Sequence, residues 1–136
     1  MRRAERAQAT AELGLLVLVL AVLLIGMVGV TEVVQTEMGL TTVAEEAARA
    51  AALAPSADLV QDRGQERGLA VGTGYALRNG SLTVSVDPDQ FQPGGRVRAV
   101  ASYRLTSRDV PLLGWGSLAL EREHVEIVPR FRSLPG

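Results

Sequence analysis

The sequence predicts an α+β fold: one long N-terminal helix runs from an apolar span into a small domain with a three- or four-stranded antiparallel sheet. Three observations carry this expectation. Leu13 to Val30, LGLLVLVLAVLLIGMVGV, is eighteen residues without a charged or strongly polar side chain. From Thr31 to Ala54 there is no proline, and Val33, Thr36, Leu40, Val43, Ala47, Ala50 and Ala54 recur at intervals of three and four, as on one helix face. Beyond Tyr75 the period changes to two, most cleanly in Arg96 to Leu105.

At a rise of ~1.5 Å per residue the charge-free run spans about 27 Å, close to the ~30 Å hydrocarbon core of a bilayer. A secretory signal has a shorter apolar run of ~7–15 residues before a small-x-small site, and Gly29-Val30-Thr31 is a poor site. The chain has no cysteine to lipidate. About 105 residues follow, too few to bury the run on every side as a soluble core helix. The division expected is a cytoplasmic basic leader (1–12), a transmembrane helix (13–31), an extracytoplasmic continuation of that helix (32–54) and a small α+β domain (55–136). Arg2, Arg3 and Arg6 precede the span, whereas Glu32, Glu37, Glu45 and Glu46 follow it with Arg49 alone among them. The basic-inside bias then places the N-terminus in the cytoplasm and the domain outside.

The helix is expected from about residue 12 to 54, ended by Pro55. Glu45 and Arg49 stand in the favourable i,i+4 order. Gly26 and Gly29 are three apart and give no G-x-x-x-G signal. Ser56 to Gly68 reads either as a short helix capped by Ser56, with Leu59 and Val60 inward, or as a charged linker. Asn79-Gly80 favours a two-residue hairpin turn pairing Leu77 with Leu82 and Tyr75 with Val84. A loop bracketed by Asp87-Pro88-Asp89 and Pro93-Gly94-Gly95 leads to the alternating strand. Leu118 to Val128 reads as a last strand, its alternation slipping at Glu121–Glu123 as at a bulge or an edge.

Chemistry-bearing patterns are sparse. A net charge of −1 offers no basic footprint for nucleic acid. Without cysteine there are no disulfides and no thiolate or zinc–thiolate sites. The single histidine, His124, lies in a charged strand and reads as a surface residue. Asp87 and Asp89 beside a proline make a polar turn rather than a hard-cation site, which needs six or more oxygens. No phosphate loop, nucleophile elbow or H-E-x-x-H motif is present. No catalytic residue, metal or cofactor is expected, and the lipid bilayer is the first partner. Leu112, Leu113 and Trp115 crowd the loop Thr106 to Gly116. They fit either a satellite core under that loop or a contact with a partner subunit or membrane interface.

The segment Arg6-Ala7-Gln8-Ala9-Thr10-Ala11-Glu12-Leu13 resembles the opening of the TadE/TadG-like pseudopilins of tight-adherence (Tad, or Flp) pilus systems. Their pattern is R-G-Q-x-x-x-E-F before a leucine-rich span; Ala7 and Leu13 here replace the glycine and phenylalanine. Ala44 to Ala51, AEEAARAA, is similar to the family's alanine-rich continuation, and Pro111-Leu112-Leu113 to its Pro-Leu element before the last strand. The resemblance implies cleavage by a prepilin peptidase between Ala7 and Gln8, or else an uncleaved member that stays in the membrane. It implies that Glu12 answers the amino terminus of a neighbouring subunit. Function by resemblance is that of a minor pseudopilin or assembly component of a Tad-type pilus or secretion system, with pilin-like subunits and Tad assembly proteins as partners. The alternative from another class is a single-pass membrane-anchored extracytoplasmic binding or accessory module unrelated to pili.

Overall fold

A computed structural model describes residues 2–78, 80–88, 91–110, 114 and 116–130, with side chains from Arg6 onward. Helix α1 runs unbroken from Arg2 to Ala52, 51 residues, or about 77 Å. It starts ten residues earlier than expected, because Ala, Glu, Arg and Gln in the leader are all good helix formers and nothing there breaks the ladder. The C-terminal end falls two residues short of Ala54. The Ala54 N–H donates to the Ala51 carbonyl at 3.0 Å, a tightened last turn, and a residue before proline is pushed out of helical geometry.

The polar segment after Pro55 is helical, the first of the two readings, but it runs further than Gly68. A 3₁₀ turn, Ala57–Leu59, leads into helix α2, Val60–Gly74. Ser56 makes no side-chain capping bond; Val60 is fully buried and Leu59 only half so. Gly64, Gly68 and Gly72 are the buried face of α2 together with Val60. Side chains built at those glycines would collide with Val86, Val84 and Leu82 in turn, the closest approaches being 2.6, 2.9 and 2.3 Å. Four helical residues advance about 6 Å and two strand residues about 6.8 Å. The three glycines therefore track three alternate strand residues, one for one, and let α2 lie nearly backbone-on-side-chain against the sheet.

The hairpin expected around Asn79-Gly80 is not formed as drawn. Tyr75 ends α2 instead of entering a strand. Ala76 takes the left-handed conformation, φ 58°. The Leu77 N–H reaches back to the Gly72 carbonyl at 2.9 Å, and that of Ala76 to Thr73 at 3.1 Å. This is a Schellman cap with alanine in the position glycine usually fills. It swings Leu77 into the core, so Leu77 and Leu82 are both buried although they do not pair. Asn79 itself lies outside the described residues.

Three strands follow: β1 (Leu82–Asp87), β2 (Arg96–Thr106) and β3 (Ser117–Ile127), antiparallel in the order β1-β2-β3. Leu82 pairs with Tyr103 and Val84 with Ala101. The β2–β3 register runs without a break from Arg96↔Ile127 to Thr106↔Ser117, so β3 is an edge strand and carries no bulge. Its slipped alternation has another cause. Arg122, His124 and Glu126 stand opposite Ala101, Ala99 and Val97 on the helix-facing side, and inward charges are one way an edge resists further pairing. Arg122 meets Glu37 of α1 at 2.7 Å.

Both helices, not one, cover the inner face of the sheet. The core comprises Leu40 and Val43 with Ala44, Ala47, Ala48 and Ala51 of α1, Val60 of α2, and the inward residues of β1 and β2. The predicted stripe on α1 is largely this surface; Ala50 lies beside it, half-buried. Arg49 pairs with Glu46 at 3.1 Å rather than with Glu45.

Candidate membrane anchor and the membrane-proximal end of the domain

From Leu13 to Val30 the large side chains of α1 stand exposed all round, Leu13 at 65% and Met27 at 71%. The most apolar stretch has a mean hydropathy of 3.0 and is only 6% buried within the protein. A helix apolar on every face and uncovered by its own domain needs an apolar surrounding. This one helix is long and apolar enough to cross a membrane. Glu12 and Glu32 bracket the stretch, twenty residues and about 30 Å apart, matching the hydrocarbon thickness.

Ala7, Gln8 and Glu12, the suspected processing and assembly residues, all lie on the exposed first turns of α1. The Gln8 side-chain amide donates to a Glu12 carboxylate oxygen at 3.2 Å. One helical turn thus brings the two polar residues together at the edge of the apolar run. Thr10 turns its hydroxyl back onto the Arg6 carbonyl at 2.8 Å.

At the other end of the span, the domain reaches down to the helix. A Cβ placed on Gly29 would stand 3.1 Å from Val110 Cγ1. Val110 is buried there, just after the turn that ends β2. Asp109 holds this turn. Its Oδ2 accepts from the Thr106 N–H at 2.8 Å and the Thr106 hydroxyl at 2.9 Å, and Arg78 Nη2 donates to both its oxygens at 2.7 and 2.9 Å. Burial alone pushes the Asp109 carboxyl up; the Thr106 donors and the positive charges of Arg78 and Arg108 outweigh that and leave it below the usual carboxylate value. The Tyr103 hydroxyl and then the Asp109 charge hold the Arg78 guanidinium above its ordinary value.

Sequence reading pointed to Val110 only as one apolar residue of the Thr106 to Gly116 loop and singled out none of Arg78, Arg108 or Asp109, which the fold gathers beside it from two loops. Leu112, Leu113 and Trp115 lie outside the described residues, as does Asp89. His124 sits at the partly exposed edge, 3.3 Å from Glu126. No cluster of three histidine or carboxylate side chains able to hold a metal occurs among the described residues. No family model, curated protein or solved structure matches this chain.

Proposed function

We propose that the chain is a minor pseudopilin or assembly component of a Tad-type pilus or secretion system. It is held in the cytoplasmic membrane by α1, with its N-terminus inside and the α+β domain outside, and it has no enzymatic role. The observation that supports this best is the continuity of α1: one helix is exposed and apolar over Leu13 to Val30, then becomes the buried spine of the domain. The pairing of Gln8 with Glu12 one turn apart adds to it. Cleavage between Ala7 and Gln8 would put a new ammonium group one turn from the Glu12 carboxylate. Two opposite charges at the margin of a low-dielectric region cost less together than apart. In an assembly, Glu12 can answer the ammonium of a neighbouring subunit in the same way.

Co-expression with a prepilin peptidase and intact-mass measurement of the membrane-extracted protein is the test. Loss of residues 1–7 is expected; a chain still starting at Met1 overturns the processing claim. The orientation is checked separately, since the native chain has no cysteine. Gln92→Cys, exposed at the far end of the sheet, should react in intact cells with a maleimide that cannot cross the membrane. Labelling only after lysis would reverse the topology.

A further inference from the structure

The lowest part of the domain meets α1 inside its apolar stretch. Val110 packs on Gly29, one residue before the charge-free run ends. Asp109 shares a small pocket with Glu32, Gln35 and Thr36, which lie about 3–9 Å beyond Val30 along the helix axis. The polar layer of one leaflet is about 5–7 Å deep, taking half the difference between a whole bilayer and its hydrocarbon core. A helix whose apolar run fills the hydrocarbon therefore holds the turn after β2 at headgroup height.

At that same end lies a shallow recess of about 460 Å³ lined by Arg78, Gly80, Ser81, Thr106 and Arg108. Asp109 fixes one nitrogen of Arg78, yet the side chain remains 41% exposed. Arg108 makes no ion pair within 4.0 Å among the described residues. Two guanidinium groups and one partner carboxylate leave the recess net positive, with a serine hydroxyl on its wall. Guanidinium groups match phosphate oxygens in charge and in geometry. We propose that this recess seats the phosphodiester headgroup of an outer-leaflet phospholipid, giving the domain a second hold on the membrane beside its helix. The proposal rests on α1 spanning the bilayer, and its test separates the two.

The full chain carrying single cysteines at Ser107, Leu20 or Gln92 is spin-labelled and placed in nanodiscs of phosphatidylcholine mixed equally with phosphatidylglycerol. Collision with a nickel-chelating headgroup lipid reads proximity to the polar layer; collision with oxygen reads depth in the hydrocarbon. The Ser107 label should meet the headgroup nickel several-fold more often than the Gln92 label. Adding Arg108→Gln should lower it measurably yet leave it above the Gln92 level, because α1 still sets the height of the turn and only the arginine hold is lost. If the Leu20 label is deep but Ser107 matches Gln92, the headgroup seat is overturned and the span stands. If Leu20 is not deep, the span fails and takes the proposal with it. A Ser107 signal unchanged by Arg108→Gln likewise rejects the arginine recess.

Discussion

Replacing Gly64 by alanine should destabilise the domain, although alanine is the better helix former. In isolation the exchange favours a helix by roughly 0.5–1 kcal/mol. Here the new methyl carbon would stand 2.6 Å from Val86 Cγ2, 3.0 Å from the Ala47 carbonyl oxygen and 3.1 Å from Ala51 Cβ. Ordinary carbon contacts lie near ~3.5–4.0 Å, so α2 would have to back away from β1 and from α1 at once. Val86 has little rotamer freedom with which to yield. Overpacking of this kind costs about 1–3 kcal/mol, so the net loss should lie within ~0–2.5 kcal/mol, with its centre near ~1 kcal/mol. Gly68 is pinched between Val84 and Ala47 at 2.9 and 3.2 Å and should behave alike. Gly72 differs. Its 2.3 Å neighbour is the mobile end of Leu82, with nothing else nearer than 3.7 Å. A rotamer adjustment of ~0.5–1.5 kcal/mol would about cancel the helix gain. Gly74, at the end of the same helix, has nothing within 4 Å and is the control. Urea titration of the full chain in detergent, followed by near-ultraviolet circular dichroism, reads the series. With an m-value of ~2 kcal/mol/M, a loss of ~1 kcal/mol should lower the Gly64→Ala midpoint by about 0.5 M at constant m. A Gly64→Ala midpoint equal to or above that of Gly74→Ala would refute the close-approach argument.

Ala76→Gly should raise the same midpoint, because releasing an L-residue from the left-handed region recovers about 1 kcal/mol; no gain would mean the cap relaxes in solution. Asp109→Asn should cost about 1.5–3 kcal/mol at neutral pH, as expected for hydrogen bonds to a charged group. The folded carboxyl lies below its unfolded value. Its stabilisation is therefore complete above the unfolded pKa of ~3.9 and fades as pH falls through the folded one. Titrations at descending pH should show wild type and variant converging, and a constant gap would reject the ionic origin. Leu112→Ala combined with Trp115→Ala separates the two readings of that loop. Side chains buried under it would cost ~3–5 kcal/mol each, whereas an unchanged midpoint assigns them to a partner or interface.

The apolar span, the small-residue stripe of α1 and the alternation of β2 were legible because each buries or exposes a continuous face with its own period. Helix α2 was legible only as one of two readings. Three glycines at about 1 kcal/mol apiece argue against a helix locally, and only the facing Val86, Val84 and Leu82 give them a purpose. The spacing Gly64-x-x-x-Gly68-x-x-x-Gly72 was the available clue. Asn79-Gly80 misled for a related reason. Turn chemistry says where a chain reverses, not whether a helix cap or a strand precedes the reversal, and Ala76 does the work of the glycine that would have marked the cap. The recess near Arg78 and Arg108 was invisible, since it joins residues about thirty apart that pattern alone does not connect.

The absence of any joint in α1 has a mechanical consequence. A tethered domain on a loose linker ignores the attitude of its anchor, but here anchor and spine are one rod. About 22 residues, some 33 Å of it, rise from Val30 to Ala52. Membrane helices lean by ~20° on average and lean further when the bilayer thins. A change of ~20° at the base carries the top of the rod sideways by about 11 Å. With α1 spanning the bilayer as proposed, bilayer thickness becomes a lever on where the sheet is presented, and a force drawing the helix out of the lipid turns the domain as well as lifting it.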